Sequence, residues 1–473
     1  MKENKISMNH DLREKCGLFA ILGCQDAARL TYLGLYALQH RGQESAGIIS
    51  TDGEQIFSHK GMGLVGHIFK ENILKTLEGD TACGHVRYST TGRSHIENAQ
   101  PFLVNFLSGK LAVAHNGNIV NAQKLRKDLE SKGSIFQTTM DTEIIVHLMA
   151  RSRKPSIVEK LADSLKKLRG AFSLVFMTEK SIIAARDPHG VRPLCIGKIG
   201  EKYIITSETC ALDLIEADYI RDVEPGEIIE ITDQGLKSFR YTPKIKHKYC
   251  VFEYIYFSRP DSNIFGENVY LTRKRLGKRM AVEAPVDADI VVPMPDSGIY
   301  AALGYSEESG IPFEVGVIRN HYVGRTFIHP AQSIRDFAVR VKLNPIASVI
   351  KGKRVILVDD SIVRGTTSKK RVKTLWKAGA KEIHMRISCP PIRHPCYYGI
   401  DFPSPEELIA SDKTEDEIAK FLGVDSLAYL SLKGMLNAMF QNNDQFCTAC
   451  FSGDYPIAVN KDMRKDCLEN IPR

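Results

Sequence analysis

One stretch of the chain, KRVILVDDSIVRGTTSKKRVKTLWKAGA at 353–380, most tightly constrains how its 473 residues can fold. The uninterrupted apolar run VILV is typical of a strand that is covered on both faces, as strands of a parallel sheet are. A short polar turn follows this strand and opens a helix. The same order of strand, loop and helix repeats from about residue 250, with further strands expected at 289–292 and 313–320. The second half is therefore predicted to be an α/β domain with a parallel sheet.

Two acidic residues, Asp359 and Asp360, end this strand at the carboxyl edge of the predicted sheet, where α/β folds bind ligands. Adjacent carboxylates can accept hydrogen bonds from vicinal ribose hydroxyls or hold Mg²⁺, partly through water. The next turn can bind a phosphate through backbone N–H groups and the helix dipole, and it consists of Arg364, Gly365, Thr366 and Thr367. An acidic strand end before an ordinary helix cap is the plainer alternative. No G-x-x-x-x-G-K-[ST] sequence occurs, which excludes a Walker A loop.

The first half opens with a polar leader and a cysteine. Residues 1–15 lack the apolar core of a secretory signal, and their acidic residues make them a poor transit peptide. The apolar run CGLFAILG follows at once and begins with Cys16. If residues 1–15 are a propeptide, their removal gives Cys16 a free α-amine that can act as the base for its own thiol. The alternative is a core cysteine behind a frayed leader.

Four later segments place polar residues beside apolar, strand-like runs, as loops at one edge of a sheet would. An acyl-transfer site needs an oxyanion hole, which Asn116 and the N–H group of Gly117 could supply. An α-amino-acid substrate needs an arginine for its carboxylate and an acid for its ammonium group. Arg87 and Asp141 fit those two roles. Taken singly, each of these residues is more often an ordinary loop residue.

Five motifs of the first half together resemble the N-terminal-nucleophile glutamine amidotransferases. These motifs are CGLF at Cys16, HRGQESAG (40–47), HVRYSTTG (85–92), AHNGNI (114–119) and Asp-Thr-Glu (141–143). The resemblance implies an αββα sandwich in which Cys16 releases ammonia from glutamine through a thioester. Met140 stands where the family often has a small polar residue. The segment ARDPHGVRPL (185–194) is similar to a structural signature of the same domain. The G-x-G-x-x-G match at 61–66 is interpreted as a glycine-rich turn, because a dinucleotide site needs a clear strand before it and a helix after it.

The segment VILVDDSIVRGTT closely resembles the phosphoribosyl pyrophosphate motif of type I phosphoribosyltransferases, over about 250–400. This resemblance implies that the loop at 295–298 binds the pyrophosphate group through Asp296, Ser297 and Gly298. It also implies Mg²⁺ at Ser297, Asp359 and Asp360.

A basic stretch at 324–345 is similar to the mobile flap of the same family. The resemblance implies that the flap closes over the diphosphate, with contacts from Arg325, Arg340 and Lys342. Closure would exclude water, which would otherwise capture the oxocarbenium-like sugar.

The eleven cysteines are too few for a disulfide scaffold, and their odd number argues against full pairing. Only Cys447 and Cys450 form a CxxC, which fits a redox pair, half of a zinc site or part of an iron–sulfur site. Cys250 and Cys396 lie in similarly aromatic segments and could complete a four-cysteine site, with small buried side chains as an equal alternative. Apart from Cys16, the others are expected to be ordinary thiols in a reducing cytoplasm, namely Cys24, Cys83, Cys195, Cys210, Cys389 and Cys467.

The two resemblances together imply a glutaminase followed by a phosphoribosyltransferase. This arrangement resembles a family that converts glutamine, water and phosphoribosyl pyrophosphate to 5-phosphoribosylamine, glutamate and pyrophosphate, in the first step of de novo purine (IMP) biosynthesis. Members with a leader also carry a [4Fe–4S] cluster, which implies the ligands Cys250, Cys396, Cys447 and Cys450. The family further implies one Mg²⁺ and one cluster per subunit, a homotetramer and feedback inhibition by purine nucleotides.

The expected fold class is α+β followed by α/β. An N-terminal-nucleophile αββα glutaminase sandwich is predicted at 16–245, and a type I phosphoribosyltransferase parallel-sheet domain at 246–400. A propeptide at 1–15 precedes them, and a helical segment at 401–473 carries cluster ligands.

The net charge of +8 is scattered along the chain, which suits anionic small molecules as well as nucleic acid. A nucleic-acid-binding regulatory protein with the phosphoribosyltransferase fold is one alternative, but no helix-turn-helix precedes the second domain. Another glutamine amidotransferase, such as a sugar-phosphate-isomerising type, is a second alternative, against which VILVDDSIVRGTT argues. No run of about 18 uncharged apolar residues occurs. We therefore expect a cytoplasmic enzyme with no nucleic-acid partner and no membrane partner.

Overall fold

The computed structural model describes residues 16–88, 94–106, 109–320, 343–401, 404–440, 443–459 and 468. Some sequence-based predictions lie outside the described residues, namely the propeptide at 1–15, the flap residues Arg325, Arg340 and Lys342, and the thiol of Cys467. Within the described ranges, no helix is long and apolar enough to cross a membrane.

The first half of the chain is built from two antiparallel sheets. Its strands are β1 Gly17–Ile21, β2 Ser45–Thr51, β3 Ile56–Met62, β4 Thr81–Arg87, β5 Phe102–Phe106, β6 Gly109–Ile119, β7 Gly170–Met177, β8 Ile182–Arg186, β9 Cys195–Ile199, β10 Lys202–Thr206, β11 Asp218–Asp222, β12 Glu227–Thr232 and β13 Gly235–Arg240. One sheet has the order β11-β9-β10-β1-β4-β2-β3, and the other has the order β13-β12-β8-β7-β6-β5.

Helices cover the outer faces of both sheets. Leu18 of β1 and Ala114 of β6 belong to one core cluster between the sheets, whereas Phe19 belongs to a cluster with Leu35 on the outer side. This alternation follows from the period of two in a strand. The helices of this half are Ala27–Ala37, Val65–Ile68, Glu71–Leu74, Ala122–Ser131, Thr142–Arg151, Ile157–Leu165 and Cys210–Asp213, with 3-10 turns at Gln39–Arg41 and Ile96–Asn98. The predicted αββα sandwich is confirmed.

The second half contains the predicted parallel sheet, with the order β17-β20-β21-β22. The strands of this half are β14 Tyr249–Cys250, β15 Asn263–Ile264, β16 Glu267–Asn268, β17 Ile290–Pro293, β18 Val317–Arg319, β19 Leu343–Pro345, β20 Arg354–Asp359, β21 Glu382–Ile387, β22 Ser426–Tyr429 and β23 Phe446–Cys447. Ile356 and Val358 of β20 pack in one core cluster, and Val355 and Leu357 pack in another, on the opposite face. The apolar run is therefore covered on both faces, as predicted.

Longer helices pack on this sheet, and short helical turns connect its other parts. The helices are Val269–Glu283, Ile299–Ser309, Ala347–Ile350, Thr366–Lys377, Glu415–Leu422, Leu432–Asn437 and Ala449–Ser452, with a π-helical turn at Glu253–Phe257 and 3-10 turns at Pro405–Glu407 and Asn443–Gln445. A reciprocal capping box of Thr414 and Glu417 fixes the start of the helix Glu415–Leu422.

Two parts of the second half differ from the sequence-based prediction. In 313–320, only Val317–Arg319 is a strand, and it pairs antiparallel with β19 outside the main sheet. The predicted helical segment at 401–473 also contains β22, which extends the main sheet in parallel with β21. Asp425 holds this register, because its carboxylate accepts from the Ile383 N–H at 2.7 Å and its own N–H donates to the Ile383 carbonyl at 2.9 Å.

Candidate active sites and the four-cysteine cavity

Cys16 lies at the start of β1, beside the end of β4. Gly17 of β1 pairs with Val86 of β4, which puts Cys16 next to the buried Arg87. The thiol of Cys16 donates to the Tyr88 carbonyl with an S–O distance of 3.5 Å. Burial raises the pKa of this thiol to about 11, and the charge of Arg87 partly opposes the rise. A thiol in this state needs a base before it can act as a nucleophile.

The HRGQESAG motif packs against the same strand end. Arg41 Nε donates to the Cys16 carbonyl at 3.0 Å. The guanidinium of Arg41 is fully buried between two carboxylates, Glu208 and Glu253, and donates to both. Gly42 lies so close to β4 that a Cβ there would be 2.7 Å from the Arg87 nitrogen. Arg41 thus belongs to this site, although its place in HRGQESAG (40–47) alone does not predict a role for it.

The second sheet brings its polar residues to the same end of the sandwich. His85 Nε2 of β4 donates to the His115 carbonyl of β6 at 3.1 Å, which joins the two sheets immediately before Asn116. The Nδ2 of Asn116 is buried and has no hydrogen-bond partner among the described residues. Gly117 has a φ of 152°, and a Cβ there would lie 2.0 Å from the Ala171 carbonyl oxygen. An unpartnered buried donor beside a close backbone approach is what an oxyanion hole requires.

Asp141 lies beside these residues at the start of the helix Thr142–Arg151. Its carboxylate accepts from the Ile119 N–H at 2.9 Å and lies 3.4 Å from His115 Nδ1. Burial opposes ionisation, but His115 and the Ile119 N–H hold the pKa of Asp141 below its usual range. The carboxylate therefore keeps a negative charge, as binding of a substrate ammonium group would need. The two histidines were not singled out from the sequence, where only their place in the motifs could have pointed to them.

The second site lies at the carboxyl edge of the parallel sheet. Asp359 ends β20 and Asp360 follows it directly, and the two residues are 2% and 5% exposed. The Met294 N–H donates to the Val358 carbonyl at 2.8 Å, which ties the loop at 295–298 to the end of β20. Gly298 is required there, because a Cβ would be 2.4 Å from the same carbonyl oxygen. The predicted pyrophosphate loop and the acidic pair are thus neighbours.

The acidic pair is only partly neutralised by protein groups. Burial and the charge of Asp360 raise the pKa of Asp359 well above its usual range. Arg371 Nη1 donates to Asp359 at 3.3 Å, and the Ser361 hydroxyl donates to Asp360. In the protein alone, burial and the adjacent charge disfavour ionisation of Asp359, and a divalent cation or hydroxyl donors could stabilise the ionised form.

The predicted phosphate turn opens the helix Thr366–Lys377. Gly365 has a φ of 72° and stands immediately before this helix, so its left-handed conformation fits glycine. Thr366 is exposed and Thr367 is half-buried. The side chain of Arg364 pairs with Glu407 at 2.7 Å. Asp296 in the loop at 295–298 pairs with Arg319.

Four cysteines from distant parts of the chain line one small cavity. The cysteines are Cys250, Cys396, Cys447 and Cys450. Cys250 and Cys447 are direct neighbours in the parallel pair β14–β23. Burial raises the pKa of all four thiols, and Arg192, which also lines the cavity, opposes this rise at three of them. Four converging sulfurs within an aromatic and aliphatic shell fit a metal cluster.

Among the described residues, no group of three or more His, Cys, Asp and Glu side chains is arranged to hold a metal ion. The ten described cysteines are all free of disulfide bonds.

Comparison with known proteins identifies both halves. A family described as a glutamine amidotransferase domain matches residues 85–214. The amidophosphoribosyltransferase of Bacillus subtilis (strain 168) is 51% identical over 456 residues, which cover 95% of this chain and 96% of that protein. The amidophosphoribosyltransferase of Methanocaldococcus jannaschii is 51% identical over 464 residues, which cover 94% of this chain and 98% of that protein.

Solved structures agree over nearly the whole chain. Glutamine phosphoribosylpyrophosphate (PRPP) amidotransferase from B. subtilis, complexed with ADP and GMP, has a TM-score of 0.91 at 50% identity, covering 96% of this chain and 100% of that one. A structure described as the allosteric regulatory enzyme of purine biosynthesis has a TM-score of 0.92 at 50% identity, covering 97% and 99%. This chain therefore belongs to the amidophosphoribosyltransferase family, and it transfers the amide nitrogen of glutamine to phosphoribosyl pyrophosphate in purine biosynthesis.

Proposed function

We propose that the two sites described above divide the reaction, with glutamine cleaved beside Cys16 and phosphoribosyl pyrophosphate bound beside Asp359 and Asp360. The observation that carries the first assignment is the unpartnered Nδ2 of Asn116 at the same end of the sandwich as the Cys16 thiol. The second assignment rests on the buried acidic pair next to the loop at 295–298.

In the glutaminase site, the Cys16 thiolate attacks the side-chain amide carbon of glutamine. The α-amine of Cys16, once residues 1–15 are removed, takes the thiol proton and passes it to the departing ammonia. The Asn116 Nδ2 and the Gly117 N–H hold the oxyanion, and water then hydrolyses the thioester to glutamate. Arg87 binds the substrate carboxylate, and Asp141 binds its ammonium group.

In the second site, ammonia attacks the anomeric carbon of phosphoribosyl pyrophosphate, and the bond to pyrophosphate breaks. Asp359 and Asp360 orient the ribose hydroxyls, and the N–H groups of the turn at 364–367 bind the 5-phosphate. Ser297 and the two aspartates would hold Mg²⁺, whose charge, when the ion is bound, favours departure of pyrophosphate. The raised pKa of Asp359, which a bound cation would lower, supports this assignment. Arg325 and Lys342 would contact the diphosphate from the flap.

The four-cysteine cavity is proposed to hold one [4Fe–4S] cluster. Burial of all four thiols in one cavity and the paired register of Cys250 and Cys447 support this proposal. When bound, the cluster supplies iron–sulfur bonds that link β14, β23 and the segment after β21. Anaerobically purified protein should contain about four irons per chain. One zinc per chain in place of iron would contradict the proposal.

Processing, assembly and regulation are proposed to follow the family. The mature chain should begin at Cys16, which intact-mass measurement tests, and active protein that keeps residues 1–15 would contradict this. The B. subtilis enzyme was solved with ADP and GMP, which supports purine nucleotides as feedback inhibitors here. A homotetramer is proposed from the family. A reducing cytoplasm is supported by the free thiols of the described cysteines.

The central experiment measures glutamate release with and without phosphoribosyl pyrophosphate. Because ammonia released without a bound acceptor would be lost to water, we expect phosphoribosyl pyrophosphate to stimulate glutamate release strongly. An isomerising amidotransferase or a nucleic-acid-binding regulator would show no such response. Glutaminase activity that is indifferent to phosphoribosyl pyrophosphate would contradict the coupling of the two sites.

A further inference from the structure

A fully buried arginine, Arg192, lies between the two halves of the molecule. It belongs to the segment ARDPHGVRPL, and its side chain is 0% exposed. Arg192 Nε donates to the Tyr398 carbonyl at 3.0 Å, and Nη2 donates to the same oxygen. Nη1 donates to Glu253 Oε1 at 3.3 Å. One side chain from the glutaminase half therefore binds two separate segments of the second half.

Through Glu253, this arginine is connected to the cysteine of the glutaminase site. The Glu253 carboxylate also accepts from Arg41 Nη1 and Nη2, each at 3.1 Å. Arg41 Nε donates in turn to the Cys16 carbonyl at 3.0 Å. The side chains of Arg192, Glu253 and Arg41 thus form a continuous buried connection from the Tyr398 carbonyl to the Cys16 carbonyl. Charge-assisted hydrogen bonds of this kind fix geometry more strongly than neutral ones.

Through Tyr398, the same arginine is connected to the oxyanion side of the site. Asn118 Nδ2 donates to the Tyr397 carbonyl at 2.8 Å. Gly399 has a φ of 99°, and a Cβ there would be 3.0 Å from the Gly117 carbonyl carbon. The segment 397–399 therefore packs directly on the backbone of Gly117, and Arg192 binds the middle of that segment.

We propose that Arg192 is a positioning residue for glutamine cleavage, which holds Cys16 and Gly117 at a fixed separation through its two sets of contacts. The proposal rests on the roles given to Cys16 and Gly117 under the proposed function. Lysine cannot replace the arginine, because a single ammonium cannot reach the carbonyl and the carboxylate with the geometry of a planar guanidinium. Loss of this geometry displaces the two reacting groups relative to each other.

The test is the variant Arg192→Lys, assayed with glutamine and with free ammonia as the nitrogen source. We expect kcat with glutamine to fall about 100-fold, since small misplacements of reacting groups have effects of that order. The KM for glutamine should change little, because Arg87 and Asp141 bind the substrate. Synthesis from ammonia, which uses the second site alone, should stay within about twofold of the parent.

A matched control separates positioning from the general effect of changing a buried arginine. Arg386 is 4% exposed, and its Nε donates to the Ala284 carbonyl at 2.9 Å within the second half. Arg386→Lys should leave the ratio of glutamine-dependent to ammonia-dependent activity unchanged. Equal changes of that ratio in both variants would overturn the proposal.

Because Arg192 lines the four-cysteine cavity, iron is measured in the same preparations. We expect Arg192→Lys to keep the iron content of the parent. Parallel loss of iron and of both activities would assign Arg192 to the cavity and overturn the positioning role. A direct readout is the reaction of Cys16 with an electrophilic glutamine analogue. Its maximal rate should fall with kcat while the half-saturating concentration stays the same.

A second variant keeps the proposal testable if Arg192→Lys does not fold. Asn118→Ala removes the contact to the Tyr397 carbonyl and should lower kcat with glutamine about tenfold, with ammonia-dependent synthesis retained. Full glutamine activity in Asn118→Ala and in any folded Arg192→Lys protein would refute the inference. Cys16→Ala separates failure of the Arg192 inference from failure of the proposed function. If this variant keeps glutamine-dependent activity, the proposed function itself is wrong.

Discussion

The two sites of this molecule differ in how their buried charges are compensated. In the glutaminase half, Arg41 lies between Glu208 and Glu253, and Asp141 lies beside His115. In the second half, Arg371 donates to Asp359, and burial together with the charge of Asp360 disfavours ionisation of Asp359. In the first site the protein's own groups stabilise the buried charges, whereas in the second they leave ionisation of Asp359 unfavourable until a cation and substrate bind. We expect the two sites to respond differently to loss of a single side chain.

The largest effect is expected from Cys16→Ala, which removes the proposed nucleophile. Glutamine-dependent synthesis should fall by about 10⁴-fold or more, as for removal of the nucleophile in other acyl-transfer enzymes. Synthesis from free ammonia should be unchanged, because the thiol takes no part in the second site. Assays with the two nitrogen sources, on the same preparation, check the prediction. Loss of both activities would mean that the sites are not separable.

Asn116→Ala should have the next largest effect. Removal of one oxyanion donor lowers kcat by about 10²–10³-fold in comparable sites. The KM for glutamine should stay near that of the parent, because the ground-state amide is not the group that Nδ2 stabilises. Steady-state kinetics with glutamine check this, with ammonia-dependent synthesis as the internal control. An increase of KM at constant kcat would instead make Asn116 a substrate-binding residue.

Asp359→Asn tests the other side of the comparison. Synthesis with either nitrogen source should fall about 100-fold, because both depend on phosphoribosyl pyrophosphate. The raised pKa of Asp359 means that its ionised form is disfavoured in the fold. Its contribution to the free energy of unfolding therefore falls as pH rises from the unfolded-state pKa through the folded-state pKa. The asparagine variant should therefore unfold at the same temperature as the parent, or higher, at neutral pH. A clear fall in melting temperature would show that the carboxylate is compensated after all.

The sequence was informative where a pattern is local. VILV predicted a strand buried on both faces, and the two core clusters on opposite sides of β20 confirm it. The run SLAY at 426–429 has only four residues, and its membership in the sheet is decided by a distant backbone register with β21. Local patterns are too weak to predict such a strand, since tertiary pairing overrides propensity at this length.

The same distinction between local motifs and long-range contacts applies to the residues of the site. The sequence suggests roles for Cys16, Arg87, Asn116 and Asp141, because each stands in a motif whose residue types match the chemistry, and these roles stay predictions. The connection from Arg192 through Glu253 to Arg41 could not be predicted, because Glu253 and Arg41 are 212 residues apart and become partners only when the two halves pack. Buried ion pairs of this kind leave no periodicity in a sequence.

The smallest expected effect concerns the pH dependence of stability in the glutaminase half. Burial opposes ionisation of Glu208, but His40 and Arg41 lower its pKa to about 2. Its unfolded-state pKa is about 4.3, so the carboxylate contributes stability above that pH, and the contribution is lost as pH falls towards 2. In urea unfolding, the difference between the parent and Glu208→Gln should therefore narrow between about pH 5 and pH 3. Glu201, whose side chain is 90% exposed beside Lys198, provides the control, because solvent screens that pair and Glu201→Gln should show little change with pH. A difference for Glu208→Gln that stays constant over this range would show that the buried charges of the glutaminase half are no better compensated than those of the acidic pair.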